Sequence, residues 1–208
     1  VSRARVAVFA SGGGRSLENL VVAARAGDVP IDVALVVVNK VGIGAVDRAT
    51  RLGIPSVVLD PDRKLSPAEF ARDAFVSVES LRCDLVVLAG FLRLLVIPDA
   101  WLGRVLNIHP SLLPAFGGHG FYGHKVHEAV LARGCTVTGC TVHYVTNEYD
   151  AGPILHQRAC EVLDDDTADT LAARVFEEET RALPEAVRMH VLEHPRSSVA
   201  RSRARSGG

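Results

Sequence analysis

Asn107 and His109 stand two residues apart at the end of an apolar run, Val105 to Ile108, that Pro110 stops. Side chains at i and i+2 of a strand project to one face, so an amide and an imidazole would point together beside a rigid turn. An amide donor next to an imidazole suits the stabilisation of a developing oxyanion and the movement of a proton. The same pair also fits a plainer assignment, in which Asn107 caps the strand end and His109 is a hydrogen-bonded core histidine.

A second cluster, Ser11-Gly12-Gly13-Gly14-Arg15-Ser16, follows the apolar run at residues 5–10. Glycines let a backbone turn tightly and approach a ligand, and the N–H groups opening the next helix favour an anion. The loop is neither GxGxxG nor a P-loop, and the second apolar run ends in Val38-Asn39-Lys40 without the acidic residue a dinucleotide site wants. A single phosphate held by Gly12, Gly13, Gly14, Arg15 and Ser16 is the preferred assignment; a glycine turn without a ligand is the other. A third cluster, Val142 to Pro153, places Asp150 just before Gly152-Pro153. A carboxylate on such a turn can hold a histidine charged or relay a proton, or simply form an Asx-type turn.

The elements that must carry these residues alternate strand and helix. Apolar runs at 5–10, 32–38, 55–59, 85–89 and 105–108 lack polar alternation, as strands buried on both faces do. Helical stretches are expected at 16–26, 45–52, 66–81, 125–133 and 167–192, the last kinked or split by Pro184. Residues 136–144 alternate and look antiparallel, with 154–162 as their partner. The pattern predicts an α/β fold, a Rossmann-like three-layer sandwich with a mostly parallel central sheet and an antiparallel C-terminal strand region.

The 208 residues carry 48% apolar and 23% charged side chains and a net charge of −1. That bounds the chain to one globular domain, or one with small additions, with no field favouring nucleic acid or an anionic membrane. No apolar run reaches the roughly 18 to 20 residues of a membrane span. The opening run is too short and strand-like for a signal peptide. Cys83, Cys135, Cys140 and Cys160 form no Cys-x-x-Cys pair and read as reduced thiols of a cytoplasmic protein. The Arg/Ser-rich stretch 195–208 reads as a disordered tail behind a domain at 1–194.

Taken together, Asn107-x-His109-Pro110-Ser111-Leu112-Leu113-Pro114 and, about forty residues on, Asp150-x-Gly152-Pro153 resemble the folate-dependent formyltransferases. The N-terminal Ser11-Gly12-Gly13-Gly14-Arg15-Ser16-Leu17 narrows the resemblance to the branch acting on glycinamide ribonucleotide. It covers about residues 4 to 192 and leaves no room for the RNA-binding or regulatory domains of sister branches. It implies 10-formyltetrahydrofolate as co-substrate, glycinamide ribonucleotide as acceptor, and no metal, nucleic acid or membrane partner; a homodimer is compatible with it. By the same resemblance Asn107 and a protonated His109 bind the oxyanion, and Asp150 sustains the charge on His109 and moves the amine proton. Glu179 occupies the position of a ribose-binding glutamate. The folate lies beside Leu92, Arg93, Leu94 and Leu95 and under the loop holding Thr146 and Glu148. Sister chemistries stay open at this point: an amino-sugar formyltransferase, a formyltetrahydrofolate deformylase, or a non-catalytic phosphate-ligand sensor. The chain departs from the family pattern at Gly13 and Arg15-Ser16, at Ala151, and along Phe116 to His124. That last, glycine-rich segment is expected to be a flexible loop able to close over the folate, with His119, His124 and His127 as its surface histidines.

Overall fold

The computed structural model describes residues 3–194; the tail assigned to 195–208 lies outside the described residues. The elements run β1 (Ala4–Ala10), α1 (Arg15–Ala26), β2 (Ile31–Val38), α2 (Gly44–Arg51), β3 (Ser56–Val58), α3 (Pro67–Ser80) and β4 (Leu85–Leu88). A short 3-10 turn (Asp99–Trp101) leads to β5 (Val105–His109), α4 (His124–Arg133), β6 (Val137–Tyr144), β7 (Ile154–Glu161) and α5 (Ala168–Glu193). One seven-stranded sheet has the order β3-β2-β1-β4-β5-β6-β7. The first five strands are parallel, and β6 and β7 run antiparallel, as the alternation of residues 136–144 implied.

Each central strand supplies both faces. In β1, Val6, Val8 and Ala10 pack with Leu17, Leu20 and Val21 of α1 and with Leu183 and Val187 of α5. Ala7 and Phe9 point the other way, onto Phe70, Ala74 and Val78 of α3 and onto Trp101. This is why the strands are continuously apolar: neither face meets water. Fully burying a side chain such as Phe9 or Leu106 contributes roughly 1.5–3 kcal/mol.

α5 runs as one helix across Pro184, so the proline does not split it. A proline in a helix leaves the carbonyl four residues earlier without its N–H donor. Here that carbonyl, Thr180 O, accepts from Asn19 Nδ2 of α1 at 2.7 Å, so α1 supplies the missing donor and is pinned to α5.

Strand order reverses where β1 lies between β2 and β4. In open α/β sheets the crevice at such a switch point, beyond the carboxyl ends of the strands, takes the ligand. The three clusters read from the sequence all lie at this end: the glycine loop after β1, Asn107 and His109 at the end of β5, and Asp150 in the β6–β7 connection.

Candidate active site

The strand-end half of the site is held by the sheet itself. Register places Asn107 of β5 opposite His143 of β6, and His109 opposite Thr141. Directly opposed residues share a face, so His143 lies beside Asn107. Asn107 Nδ2 is 3.0 Å from His143 Nε2 and 3.4 Å from Asp150 Oδ1. His143 Nδ1 is 3.0 Å from the Tyr144 carbonyl, which can only accept. On the neutral ring Nδ1 therefore carries the proton and the Nε2 lone pair receives the Asn107 amide; a charged His143 would turn an Nε2–H toward Asp150.

His109 Nε2–H donates to the Phe116 carbonyl at 2.8 Å, and its Nδ1 lies 3.5 Å from Asp150 Oδ2. Asp150 also lies 3.5 Å from His143 Nε2 and accepts the Gly118 N–H at 2.9 Å. Phe116 and Asp150 both adopt positive φ, 54° and 52°. Such backbone is uncommon for residues other than glycine and gathers at functional positions. Gly152 follows because a Cβ there would fall 1.7 Å from the Tyr144 carbonyl oxygen.

Burial lowers the affinity of His109 for a proton by more than the Asp150 carboxylate and the Phe116 carbonyl raise it. On balance the ring holds a proton less tightly than an ordinary imidazole in the absence of ligand. For Asp150, burial pushes the carboxyl upward. His143, the charge that His109 can carry and the Gly118 N–H outweigh this and hold it below the ordinary carboxylate range.

The glycine loop forms the opposite wall. Gly14 has φ +78°, and a Cβ on it would lie 2.8 Å from Ala45 Cα, so only glycine lets α2 pack this closely. The Gly12 carbonyl accepts from Ala45 N–H at 3.1 Å and the Gly13 carbonyl from Arg48 Nη1 at 2.6 Å. Arg48 is itself held by Glu18 at 2.7 Å. With those carbonyls held against α2, a Cβ at Gly12 or Gly13 would meet nothing within 4 Å. Arg15 lies over the Phe176 ring, its guanidinium carbon 3.9 Å from the centroid. Glu179, on the next turn of α5, faces the same space. Burial pushes its carboxyl up to about 7 against the opposing charge of Arg15.

A cavity of about 670 Å³ joins these walls, lined by Gly12 to Ser16, Asn107, His109, Asp150 and Glu179 among others. That size suits a small-molecule site. The proposed folate residues divide. Leu92 lines the cavity and Leu95 is core. Leu94 is half-buried, and Thr146 and Glu148 form a small side-chain turn at the edge of the site. The two segments do meet, since Ile97 N–H donates to Asn147 Oδ1 at 2.7 Å. Arg93 is turned away from the cavity: it pairs with Asp60 at 2.5 Å, donates to the Leu65 carbonyl and stacks over Phe70. Its side chain braces the 60–65 loop and offers a ligand nothing but backbone.

The loop after Leu113-Pro114 already forms part of the cavity wall, with Gly118 to Gly123 lining it. His124 is exposed and pairs with Asp169. His127 is a correction: it lies within α4 and is only 4% exposed, because the helix begins at His124 and turns this residue inward. Sequence reasoning missed His143, the Phe116 carbonyl and the Gly118 N–H. Only His143 left a signal, through its alternation in a strand that pairs with β5. Among the described residues no group of His, Cys, Asp and Glu is arranged to hold a metal ion.

Comparison with known proteins agrees with this geometry. Residues 4–187 match the family described as formyl transferase. The chloroplastic phosphoribosylglycinamide formyltransferase of Vigna unguiculata is 43% identical over 190 residues, covering 90% of this chain; the chain spans only 61% of that relative's length. Phosphoribosylglycinamide formyltransferase of Bacillus subtilis (strain 168) is 33% identical over 186 residues, covering 88% of this chain and 93% of its own. Among solved structures, glycinamide ribonucleotide transformylase 1 from Symbiobacterium toebii superposes with a TM-score of 0.86 at 37% identity, covering 92% of this chain and 89% of its own.

Proposed function

The chain belongs to the formyl transferase family, and from that premise we propose that it transfers the formyl group of 10-formyltetrahydrofolate to the primary amine of glycinamide ribonucleotide. The names of its relatives support this acceptor. A cavity with an open glycine loop at one end and an amide–imidazole–carboxylate group at the other supports the chemistry.

The amine nitrogen attacks the formyl carbon, forming a C–N bond while the carbonyl π electrons move onto oxygen. Asn107 and His109 flank that oxygen. The amide gives up its long 3.4 Å contact with Asp150 to donate to the oxyanion, and keeps its shorter bond to His143. Asp150 takes the proton released by the amine, directly or through an ordered water, and the adjacent His109 shares it. The proton passes to N10 of the folate as the C–N10 bond breaks, leaving tetrahydrofolate and the N-formyl product. The phosphate lies on Gly12 to Ser16, where space is open, and Glu179 receives ribose hydroxyls. The pterin lies between the Leu92–Leu95 segment and the 146–150 loop, read by backbone groups. Among the described residues no helix is long and apolar enough to cross a membrane, and the free thiols at Cys83, Cys135, Cys140 and Cys160 favour a reducing compartment, the cytoplasm.

The single observation that carries this proposal is Asp150 lying between both histidines and the Asn107 amide. The test follows folate product by absorbance with and without glycinamide ribonucleotide. Turnover that requires the ribonucleotide supports transfer. Turnover without an acceptor means hydrolysis of the folate instead, and binding without turnover means a sensor.

A further inference from the structure

We propose that His127 is a substrate-binding residue whose Nε2–H donates a hydrogen bond to an oxygen of the acceptor's sugar–phosphate. This deepens the formyl-transfer proposal and rests on it for the identity of the acceptor.

His127 lines the cavity yet is 4% exposed. Its Nδ1 is sealed from solvent with no hydrogen-bond partner. A buried polar nitrogen left unpaired is costly, and such exceptions in a folded protein call for a cause. The fold makes no use of the imidazole's polarity here: among the described residues neither nitrogen is hydrogen-bonded, and the ring's neighbour in α4 is His124, at 6.3 Å between centroids. Apolar side chains pack the same face of α4 at Val126 and Val130 without difficulty.

Of the two nitrogens only Nδ1 is sealed, so the ring's small exposure falls on its Nε2 side, toward the cavity. Orphaned buried N–H groups are rarer than under-satisfied acceptors. The proton therefore belongs on Nε2, and His127 presents a donor to whatever enters. Burial, together with the charges that His124 and His109 can carry, pushes the ring down to about 4, so it stays neutral. A fixed neutral donor suits an acceptor oxygen. α4 packs against α5, which carries Phe176 and Glu179, so His127 shares the wall expected to hold the sugar and phosphate.

The test compares wild type, His127→Leu and His127→Gln in steady-state kinetics and in thermal unfolding without ligand. The proposal expects His127→Leu to lower kcat/KM for glycinamide ribonucleotide about tenfold, the equivalent of one hydrogen bond. The KM for the folate should not move, and His127→Gln, which keeps a donor, should recover part of the loss. The ligand-free Leu variant should melt about 2 to 4 °C higher, because an unpaired polar ring has been replaced by an apolar side chain of similar size. A lower melting point with unchanged ribonucleotide kinetics would make His127 a packing residue and overturn the proposal. So would a loss confined to the folate. If the wild type shows no transfer, calorimetry with ribose 5-phosphate on the same three proteins still decides the matter: weaker binding by the Leu variant upholds the contact and equal binding removes it.

Discussion

Two carboxyls face one cavity and are held in opposite states. Asp150 accepts a backbone N–H and lies within 3.5 Å of two imidazoles, and its neighbours hold it below the ordinary carboxylate range. Glu179 lines the cavity with Phe176 and Ala172, and burial lifts it to about 7 although Arg15 opposes this. Carboxyls whose surroundings push them apart mark different tasks. The contrast extends to the whole site. At the Asp150 end the polar atoms are already bonded to one another, whereas the far wall keeps open glycines, a guanidinium parked on a ring and an unpaired histidine. Under the proposed function the first end is pre-set for chemistry, and the second waits for a ligand.

That comparison breaks most visibly if a strand-end substitution acts on binding. Asn107→Ala should lower kcat by about 10² to 10³, the usual effect of losing one oxyanion donor, and His109→Ala should lower it by about 10² or more through loss of the ring that shares the proton with Asp150. KM for both substrates should change little. A KM effect with kcat preserved would mean that these residues bind substrate and do not serve the reacting atoms. The Asn107–His143 contact sharpens the point: once Asn107 is alanine, a further His143→Ala should lower kcat far less than it does alone, because the imidazole acts through the amide.

The glycine loop separates ligand space from packing space within neighbouring residues. Gly13→Ala adds a methyl to open cavity, so ligand-free stability should hold while KM for the ribonucleotide rises about tenfold. Gly14→Ala places a Cβ 2.8 Å from Ala45 Cα at φ +78°. It should lower stability by about 1 to 3 kcal/mol in urea unfolding, with or without ligand. Equal behaviour of the two variants would erase the distinction between the ligand side of the loop and its α2 side.

Much of this was legible in the residues. Continuous apolar strands gave the parallel sheet, since burial on both faces leaves a mark at every position. The alternation from 136 to 144 gave the antiparallel turn of the chain. Asn107, His109 and Asp150 stood out by residue type beside prolines and glycines, and the structure brings the three together. Contacts that depend on a third element were not. Pro184 signals a broken helix in any single sequence, and only the docking of Asn19 onto Thr180 shows why it holds. Arg93 reads as a side chain beside the folate until the 60–65 loop folds back to take it. His127 falls within the helix expected at 125–133, and only the packing of α4 shows that it turns inward and not to the surface. The donors and acceptors that finish the site, Phe116 and Gly118, are backbone atoms, and backbone atoms leave no trace in residue type.

The smallest expected effect concerns the waiting end. Glu179 has a folded value of about 7 against an ordinary 4.5. Between those two values the native protein binds more protons than the unfolded chain, so stability falls as pH rises through this window. Below 4.5 both states are protonated at this carboxyl and the difference is absent. Above 7 the native protein carries a buried anion that only Arg15 offsets. A glutamine side chain cannot ionise. The advantage of Glu179→Gln over wild type should therefore be near zero at about pH 4.5, open between there and about pH 7, and level off by about pH 8. Urea unfolding of both proteins across that range reads it directly. A gap independent of pH would mean that Glu179 is already ionised at low pH, and the contrast with Asp150 would vanish. A gap that widens when Arg15 is replaced by Met would identify the guanidinium as the charge restraining Glu179, and would tie the glycine loop to that carboxyl before any substrate arrives.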